Sequence, residues 1–312
     1  MVHDRCLAAF LGLALGDAYG RSLEFVRGER VRSLPVRIPS SAFMWTDDTH
    51  MALYLAGALT QLGPQGGAPL SEDALGRAVG EAFVSWSRDP LTPSTAPGGT
   101  CLTGAAAFAR TRDWRTSGVR QSDGCGAVMR VVPLPIVYSG DDLIAAARVQ
   151  ALVTHAHPNA PAAAVAASLL TRALLDGAAL TAGLVSDIAC TIRQLPEGTE
   201  TMAKALDAAV AQAARPTLDW LDEDDIPDGD GGWRSPSALG LAVVAALRWG
   251  DDAALAMEKA ARIDGDSDSV ACLAGMLIGA ARGTAALPSH WLAALPQRDR
   301  IEAAVTGLLG LR

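Results

Sequence analysis

Apolar residues recur every three to four positions along almost the whole chain, and the strict alternation that marks strands is nearly absent. This periodicity predicts helices over roughly 4–19, 47–62, 72–88, 100–111, 142–155, 160–176, 181–194, 200–214, 236–249, 252–262, 268–282 and 298–310. Gly and Pro clusters punctuate them at Gly63-Pro64-Gln65-Gly66-Gly67, along Thr92 to Gly99, and at Asp228-Gly229-Asp230-Gly231-Gly232. No internal repeat, low-complexity linker or break in composition divides the chain. The expectation is all-α: a compact helical bundle forming a single domain over residues 1–312.

Composition sharpens this picture. Hydrophobic residues make up 50% of the chain, enough for a sizeable core, yet aromatic residues only 5%. Alanine carries much of the difference; it is the best helix former, and its small side chain lets helices approach closely. A net charge of -8 argues against a broad basic surface for nucleic acid, though not against a phosphorylated ligand in a local pocket. Cys6, Cys101, Cys125, Cys190 and Cys272 are scattered, odd in number and without CxxC spacing. They read as thiols in a reducing compartment rather than a disulfide frame or zinc site. The apolar run from Cys6 to Gly16 has only Arg5 as a basic flank and is closed by Asp17, which does not fit a signal peptide. No apolar run reaches the roughly 18 residues of a spanning helix, so the expected location is the cytoplasm, away from membranes.

Two acidic clusters are the candidates for chemistry. Trp45-Thr46-Asp47-Asp48-Thr49 stands directly before the apolar run from Met51 to Leu59. Thr or Asp there serves as an ordinary helix N-cap, but a cap needs one side-chain oxygen, and two adjacent carboxylates exceed that need. Neighbouring helical residues diverge by about 100°, so Asp47 and Asp48 suit two cations better than joint chelation of one. The second cluster, Asp264-Gly265-Asp266-Ser267-Asp268-Ser269, precedes the apolar run from Val270 to Ala280; in an extended segment its three carboxylates would share one side. It imitates the start of an EF-hand loop. Such a loop needs Gly at its sixth position and Glu at its twelfth, where this chain has Ser269 and Gly275, so that reading fails. The hard oxygen donors of both clusters favour Mg²⁺, Mn²⁺ or Ca²⁺ over zinc. The acidic stretch from Asp222 to Asp230 reads as a solvated loop.

Thr46-Asp47-Asp48-Thr49 and Gly265-Asp266-Ser267-Asp268-Ser269 resemble the two metal motifs of the ADP-ribosylglycohydrolases. Gly12-Leu13-Ala14-Leu15-Gly16-Asp17-Ala18-Tyr19-Gly20 with Glu24-Phe25, Ser122-Asp123-Gly124-Cys125-Gly126-Ala127-Val128-Met129-Arg130, and Thr154-His155 resemble three further segments of that family, in family order. The resemblance implies two Mg²⁺ ions, or Mn²⁺, held in a binuclear cleft by Thr46, Asp47, Asp48, Asp266, Asp268 and Ser269. Ser269 departs mildly from the more usual Thr. Asp264 falls outside that set and is expected to support or cap, and Asp17 to be buried structurally. The implied ligand is ADP-ribose or an ADP-ribosylated protein. The implied activity is hydrolysis of the glycosidic bond between ADP-ribose and a protein side chain or related conjugate.

A pair of hard cations would fix the ribose hydroxyls and a water, while nearby carboxylates stabilise oxocarbenium character. Glu24 is the acid/base candidate, and Asp47 and Asp48 complete the expected catalytic set. Gly98, Gly99 and Thr100, at a helix start, and Ser122, Gly124, Cys125 and Gly126, on a turn, are expected to meet the substrate through N–H donors; their glycines also read as plain loop punctuation. Cys125, where many relatives carry Asn, is not expected to act as a nucleophile. His155 is either a core residue or a ligand contact, and Trp233 either packs in the core or stacks on adenine or ribose. His157 belongs to the turn opened by Pro158. Two other readings stand beside the enzyme: a non-catalytic ADP-ribose-binding or structural member of the same fold, and an immunity factor against an ADP-ribosylating toxin.

Overall fold

The computed structural model describes residues 2–26, 31, 43–64, 70–227 and 229–312; Gln65, Gly66, Gly67 and Asp228 of the punctuating clusters lie outside them. Among the described residues there are fifteen α-helices and no strand, only isolated bridges at Val119–His155 and Gly124–Arg234. The first five are α1 (Val2–Gly20), α2 (Asp47–Leu62), α3 (Glu72–Arg88), α4 (Gly99–Thr111) and α5 (Trp114–Ser117). Then come α6 (Pro133–Val137), α7 (Gly140–Leu152), α8 (Asn159–Leu175), α9 (Ala182–Gln194) and α10 (Glu200–Ala213). The chain ends with α11 (Ser235–Trp249), α12 (Ala253–Ala261), α13 (Ser267–Arg282), α14 (Ser289–Ala294) and α15 (Arg298–Leu309).

All the helices expected from periodicity are present. Their starts follow side-chain chemistry: Ser71, Thr181, Thr199 and Asp252 each accept an N–H from the first turn of α3, α9, α10 and α12. One expected end is too long. The segment after Leu152 leaves the helix because Val119 N–H donates to Thr154 O and Ala156 N–H to Val119 O, which places His155 in a turn. The short helices α5, α6 and α14 escape the sequence pattern, since four to six residues cannot display a period. Asp222 and Asp225 of the acidic stretch pair with Arg215 at the surface, in keeping with a solvated loop.

The helices sort into two shells. Helices α3, α9 and α10 bury one apolar stripe each, such as Leu75, Val79, Phe83 and Trp86 on α3. Helices α1, α8, α11 and α13 are buried over most of their length and form the centre. The most extensive contact between any two helices joins α1 to α13.

That contact is a seam of glycines. Gly12, Gly16 and Gly20 recur every fourth residue on one face of α1, and Ala271, Gly275 and Gly279 do the same on α13. The helices run antiparallel. A Cβ on Gly12 would overlap the carbonyl of Gly275, one on Gly16 the carbonyl of Ala271, and one on Gly20 the backbone of Ser267 and Asp268. The C-terminal end of α1 is thereby pressed against the N-terminal end of α13.

Gly16→Ala is expected to destabilise the fold by about 1–3 kcal/mol, because the added methyl must push two backbones apart. Gly57, on the exposed face of α2, would have nothing within 4 Å of an added Cβ. Gly57→Ala should stabilise by about 0.5–1 kcal/mol through helix propensity alone. Urea unfolding of the two variants checks this, and equal effects of the same sign would contradict the seam.

Candidate active site

Residues 46–49 sit where α2 begins, and their orientation is set from α1. Asp17, fully buried at the end of the seam, accepts Thr46 N–H (2.7 Å), Thr49 N–H (3.0 Å) and the Thr49 hydroxyl (2.5 Å). It caps α2 from another helix, so the α2 start needs little from its own residues: Asp48 N–H reaches Thr46 Oγ1 only at 3.5 Å. Asp47 and Asp48 are left to face the cleft. The expectation that Asp17 is structural is met in its geometry.

The second cluster arrives from α13. Asp266 caps that helix through Oδ1, which accepts Ser269 N–H at 3.3 Å, and Asp268 lies within the first turn. Asp264 is not the cap, which Asp266 supplies; the residue is exposed, and its N–H donates to Glu223 Oε1. The expected common side for Asp264, Asp266 and Asp268 fails because the helix begins at Ser267 and turns Asp268 away from the extended register.

The two clusters meet. Ser269 Oγ donates to Asp48 Oδ1 (3.0 Å), Thr46 Oγ1 to Asp48 Oδ2 (3.2 Å), and the side chains of Asp266 and Asp268 share a hydrogen bond. Glu24, Asp47, Asp48, Asp266, Asp268 and Ser269 line one cleft of about 240 Å³. Gly98, Gly99, Thr100, Gly124, Cys125, Gly126 and His155 line the same cleft. Thr46 and Ser122 do not reach its surface. Thr46 is sealed beneath Asp48, and Ser122 Oγ lies 3.1 Å from Thr100 Oγ1, behind the wall.

Electrostatically the acidic side is costly. Asp47, Asp48, Asp266 and Asp268 expose only 6%, 2%, 5% and 4% of their surface, so water screens them little. Burial first, and Asp268 among other neighbours second, push Asp17 up to about 7 and Glu24 up to about 8. Burial also pushes Asp47 up to about 8, against the Gly98 N–H that its Oδ2 accepts at 2.9 Å. Asp48 and Asp266 are raised further by the same two causes, and Asp268 is raised mainly by burial.

Hard oxygens, near-complete burial and mutual repulsion are the conditions that divalent cations relieve, and the donor chemistry fits Mg²⁺ or Mn²⁺. No three His, Cys, Asp or Glu side chains among the described residues already stand in chelating geometry. Their oxygens are instead paired with one another, so ligation would exchange those hydrogen bonds for bonds to the ion.

The rest of the lining brings N–H donors and hydroxyls. Helix α4 makes its first backbone bond from Leu102 N–H to Gly98 O, which leaves the N–H groups of Gly99, Thr100 and Cys101 outside the helical ladder. The Gly98 N–H is not available to a substrate, because Asp47 holds it. The 122–126 turn is pinned by Cys125 N–H to Trp233 O (3.0 Å) and by the Ser235 hydroxyl to Gly124 O (2.6 Å). The Cys125 thiol donates to Asp266 Oδ2 (2.9 Å), and burial pushes it well above its usual range, so it is no thiolate nucleophile. His157 is half exposed, its Nδ1 accepting Asn159 N–H in the turn after Pro158.

His155 is buried yet borders the cleft, and Trp233 is not a core residue: it stands 36% exposed at the rim, stacked on Phe25 with ring centroids 6.2 Å apart. Sequence reading passed over Ala96, Cys101 and Met129, which also line the cleft, and gave no role to Arg130, which is sealed behind it. Nothing local marks Ala96, whose left-handed φ of 51° only the fold imposes.

The whole arrangement has relatives. A curated protein of Rhodospirillum rubrum, ADP-ribosyl-[dinitrogen reductase] glycohydrolase, is 26% identical over 99% of this chain and 97% of its own length. An ADP-ribosylarginine hydrolase Tri1 of Pseudomonas putida is 28% identical over 93% of this chain and 73% of its own. A solved structure described as an ADP-ribosylglycohydrolase-related protein complex superposes with a TM-score of 0.77 at 28% identity, covering 99% of this chain and 98% of its own. The sequence model of the family described as ADP-ribosylglycohydrolase matches residues 1–312, and this chain belongs to that family.

Proposed function

We propose that the cleft hydrolyses the glycosidic bond joining ADP-ribose to a modified protein side chain or a related conjugate, with two divalent cations, Mg²⁺ or Mn²⁺, in place. The observation that carries this reading is the convergence of Glu24 with both acidic clusters in one cleft faced by N–H donors. The names of the relatives support ADP-ribose as the group released. An intact set of carboxylates at this electrostatic cost disfavours a non-catalytic binder, in which nothing would require it.

Asp47, Asp48, Asp266, Asp268 and Ser269 would hold the cations, with Thr46 joining them only by giving up its bond to Asp48; when bound, the ions supply Lewis-acid fixing of the vicinal ribose hydroxyls and a water. Glu24 borders these carboxylates, and its partial burial favours the protonated form from which it would give a proton to the leaving group. The neighbouring Asp carboxylates stabilise positive character growing on the ribose carbon. The open first turn of α4 offers N–H groups to the diphosphate. Release of ADP-ribose from arginine-, serine- and nucleobase-linked substrates, with Mg²⁺, Mn²⁺ or EDTA, tests the reading; no release from any of them with either metal would refute it.

Glu24→Gln keeps size and hydrogen bonding but cannot donate or accept the proton. Turnover should fall by roughly 10²–10⁴-fold while ADP-ribose binding is retained. A loss below tenfold would remove Glu24 from the chemistry, and a parallel collapse of binding would make it a positioning group.

Asp268→Asn removes one charge from the repelling cluster. In EDTA it should be neutral or stabilising, whereas in saturating Mg²⁺ it should lower the melting temperature, because a bound ion stabilises the native state by mass action. Equal destabilisation in both conditions would mark Asp268 as a packing residue.

The raised carboxyls also set a pH dependence. The folded chain retains protons on Asp17 (about 7), Asp47 and Glu24 (both about 8) that the unfolded chain has already lost. Metal-free stability should therefore decline as pH rises from about 7 to 8.5, a window above that in which the buried histidines act in the opposite sense. Mg²⁺ should flatten the decline. A melting temperature in EDTA that climbs across this window would contradict the raised acidities.

A further inference from the structure

Arg130 is fully buried, yet its guanidinium meets no carboxylate among the described residues. Nε donates to Gln150 Oε1 (2.9 Å), and Nη2 to Gln150 O (3.1 Å) and Thr154 Oγ1 (2.7 Å). Nη1 faces the sulfurs of Met51 and Cys101, and the plane lies over the Phe83 ring at 4.2 Å. Gln150 is held in turn by its Nε2, which donates to Ala127 O (2.8 Å). We propose that Arg130, acting through Thr154, is a positioning residue that fixes His155 as the Nε2–H tautomer, so that the imidazole serves as a neutral hydrogen-bond donor to an acceptor oxygen of the bound ADP-ribosyl ligand. The ligand half of this inference rests on the function proposed above; the tautomer half does not.

The direction of the relay follows from hydrogen counting. A guanidinium only donates, so Thr154 Oγ1 accepts from Arg130 and has its single hydrogen left to place. The other polar neighbour of that oxygen is His155 Nδ1, at 2.8 Å. If Nδ1 carried a hydrogen, both neighbours would donate to Oγ1 and the hydroxyl hydrogen would have no acceptor among the described residues, at a residue that is 0% exposed. Only one arrangement satisfies every group: Thr154 donates, Nδ1 accepts and Nε2 bears the hydrogen. Burial and the Arg130 charge together hold the ring neutral, pushing His155 down to about 3.

The ring is also aimed. His155 N–H donates to Ala151 O (2.8 Å), and Val119 brackets the residue from both sides by accepting Ala156 N–H and donating to Thr154 O. The imidazole lies against Gly124 and Gly126, where a Cβ would come within 3.4 Å of Nε2 and 2.9 Å of Cε1 respectively. Nε2 has no protein hydrogen-bond partner among the described residues, and the residue lines the cleft beside Gly124 and Gly126.

Nitrogen-15 spectra of the imidazole in the parent protein read the tautomer directly. The expected result is a hydrogen on Nε2 and a bare Nδ1; a hydrogen on Nδ1 would overturn the proposal whatever any variant does. Thr154→Ser, which keeps the hydroxyl, should leave both the spectrum and ADP-ribose binding as in the parent. Thr154→Val removes the relay, and should mix the tautomers and weaken ADP-ribose binding about tenfold, the worth of one hydrogen bond to a charged group. A Thr154→Val protein that keeps the parent spectrum defeats the relay, and one with altered tautomers but parent affinity defeats the ligand contact. Failure of the parent protein to bind ADP-ribose would defeat the reading of the cleft itself, separately from the tautomer.

Discussion

Contact between the backbones of α1 and α13 positions everything else. Helix axes separated by ordinary side chains lie about 8–10 Å apart. Glycine at Gly12, Gly16 and Gly20 against Ala271, Gly275 and Gly279 removes those side chains from the crossing. The carboxylates are distributed along the result. Asp17 stands inside the seam and reaches across to organise the start of α2, while Gly20 packs on the backbone that presents Asp268. A seam one methyl wider would separate Asp17 from Thr46 and Thr49, and α2 would lose the cap that frees Asp47 and Asp48 to face the cleft.

The same closeness works against stability. Six carboxyl groups, those of Asp17, Glu24, Asp47, Asp48, Asp266 and Asp268, are brought together where burial already disfavours ionisation. Packing of the central helices has to offset this repulsion, and the shell of alanine and leucine on α1, α8, α11 and α13 supplies the apolar burial to do so. Strain held in place by a rigid surround is characteristic of sites shaped by function rather than by folding.

Most of this architecture was legible in the sequence, for identifiable reasons. The long helices carry their period locally, and α3 and α13 their caps as well, so α2, α3 and α13 could be read almost to the residue. Both acidic clusters were legible because each sits just before an apolar run, where a helix start was already expected. The glycine spacing on α1 and α13 was visible as letters, but its meaning needs a partner helix, and nothing in residues 12–20 points to residues 271–279. Asp264 misled because three alternating aspartates suggest an extended loop, whereas capping by Asp266 starts the helix one residue later. Trp233 was ambiguous since a tryptophan after two glycines fits a core or a rim equally well; only its exposure and its stacking on Phe25, distant in sequence, decide it. Arg130 stayed silent because a buried guanidinium supported by Gln150 and Thr154 has no sequence signature.

The two sides of the cleft impose an order on each other. Among the described residues that line it there is no Lys or Arg, and Arg130 is sealed from the cleft space. A diphosphate approaching this cleft alone meets carboxylates without a compensating cationic side chain, and N–H dipoles at one helix start are too weak to offset several negative charges at this range. With cations held by the acidic side, the sign of the field reverses, and those same N–H groups become specific rather than overwhelmed. On the function proposed here, ion binding must therefore precede the anion. The bond from Gly98 N–H to Asp47 Oδ2 joins the two: the residue that opens α4 is anchored to a carboxylate of the acidic cluster. On the function proposed here, movement of Asp47 toward an ion would be felt at once by the turn that would receive the phosphate.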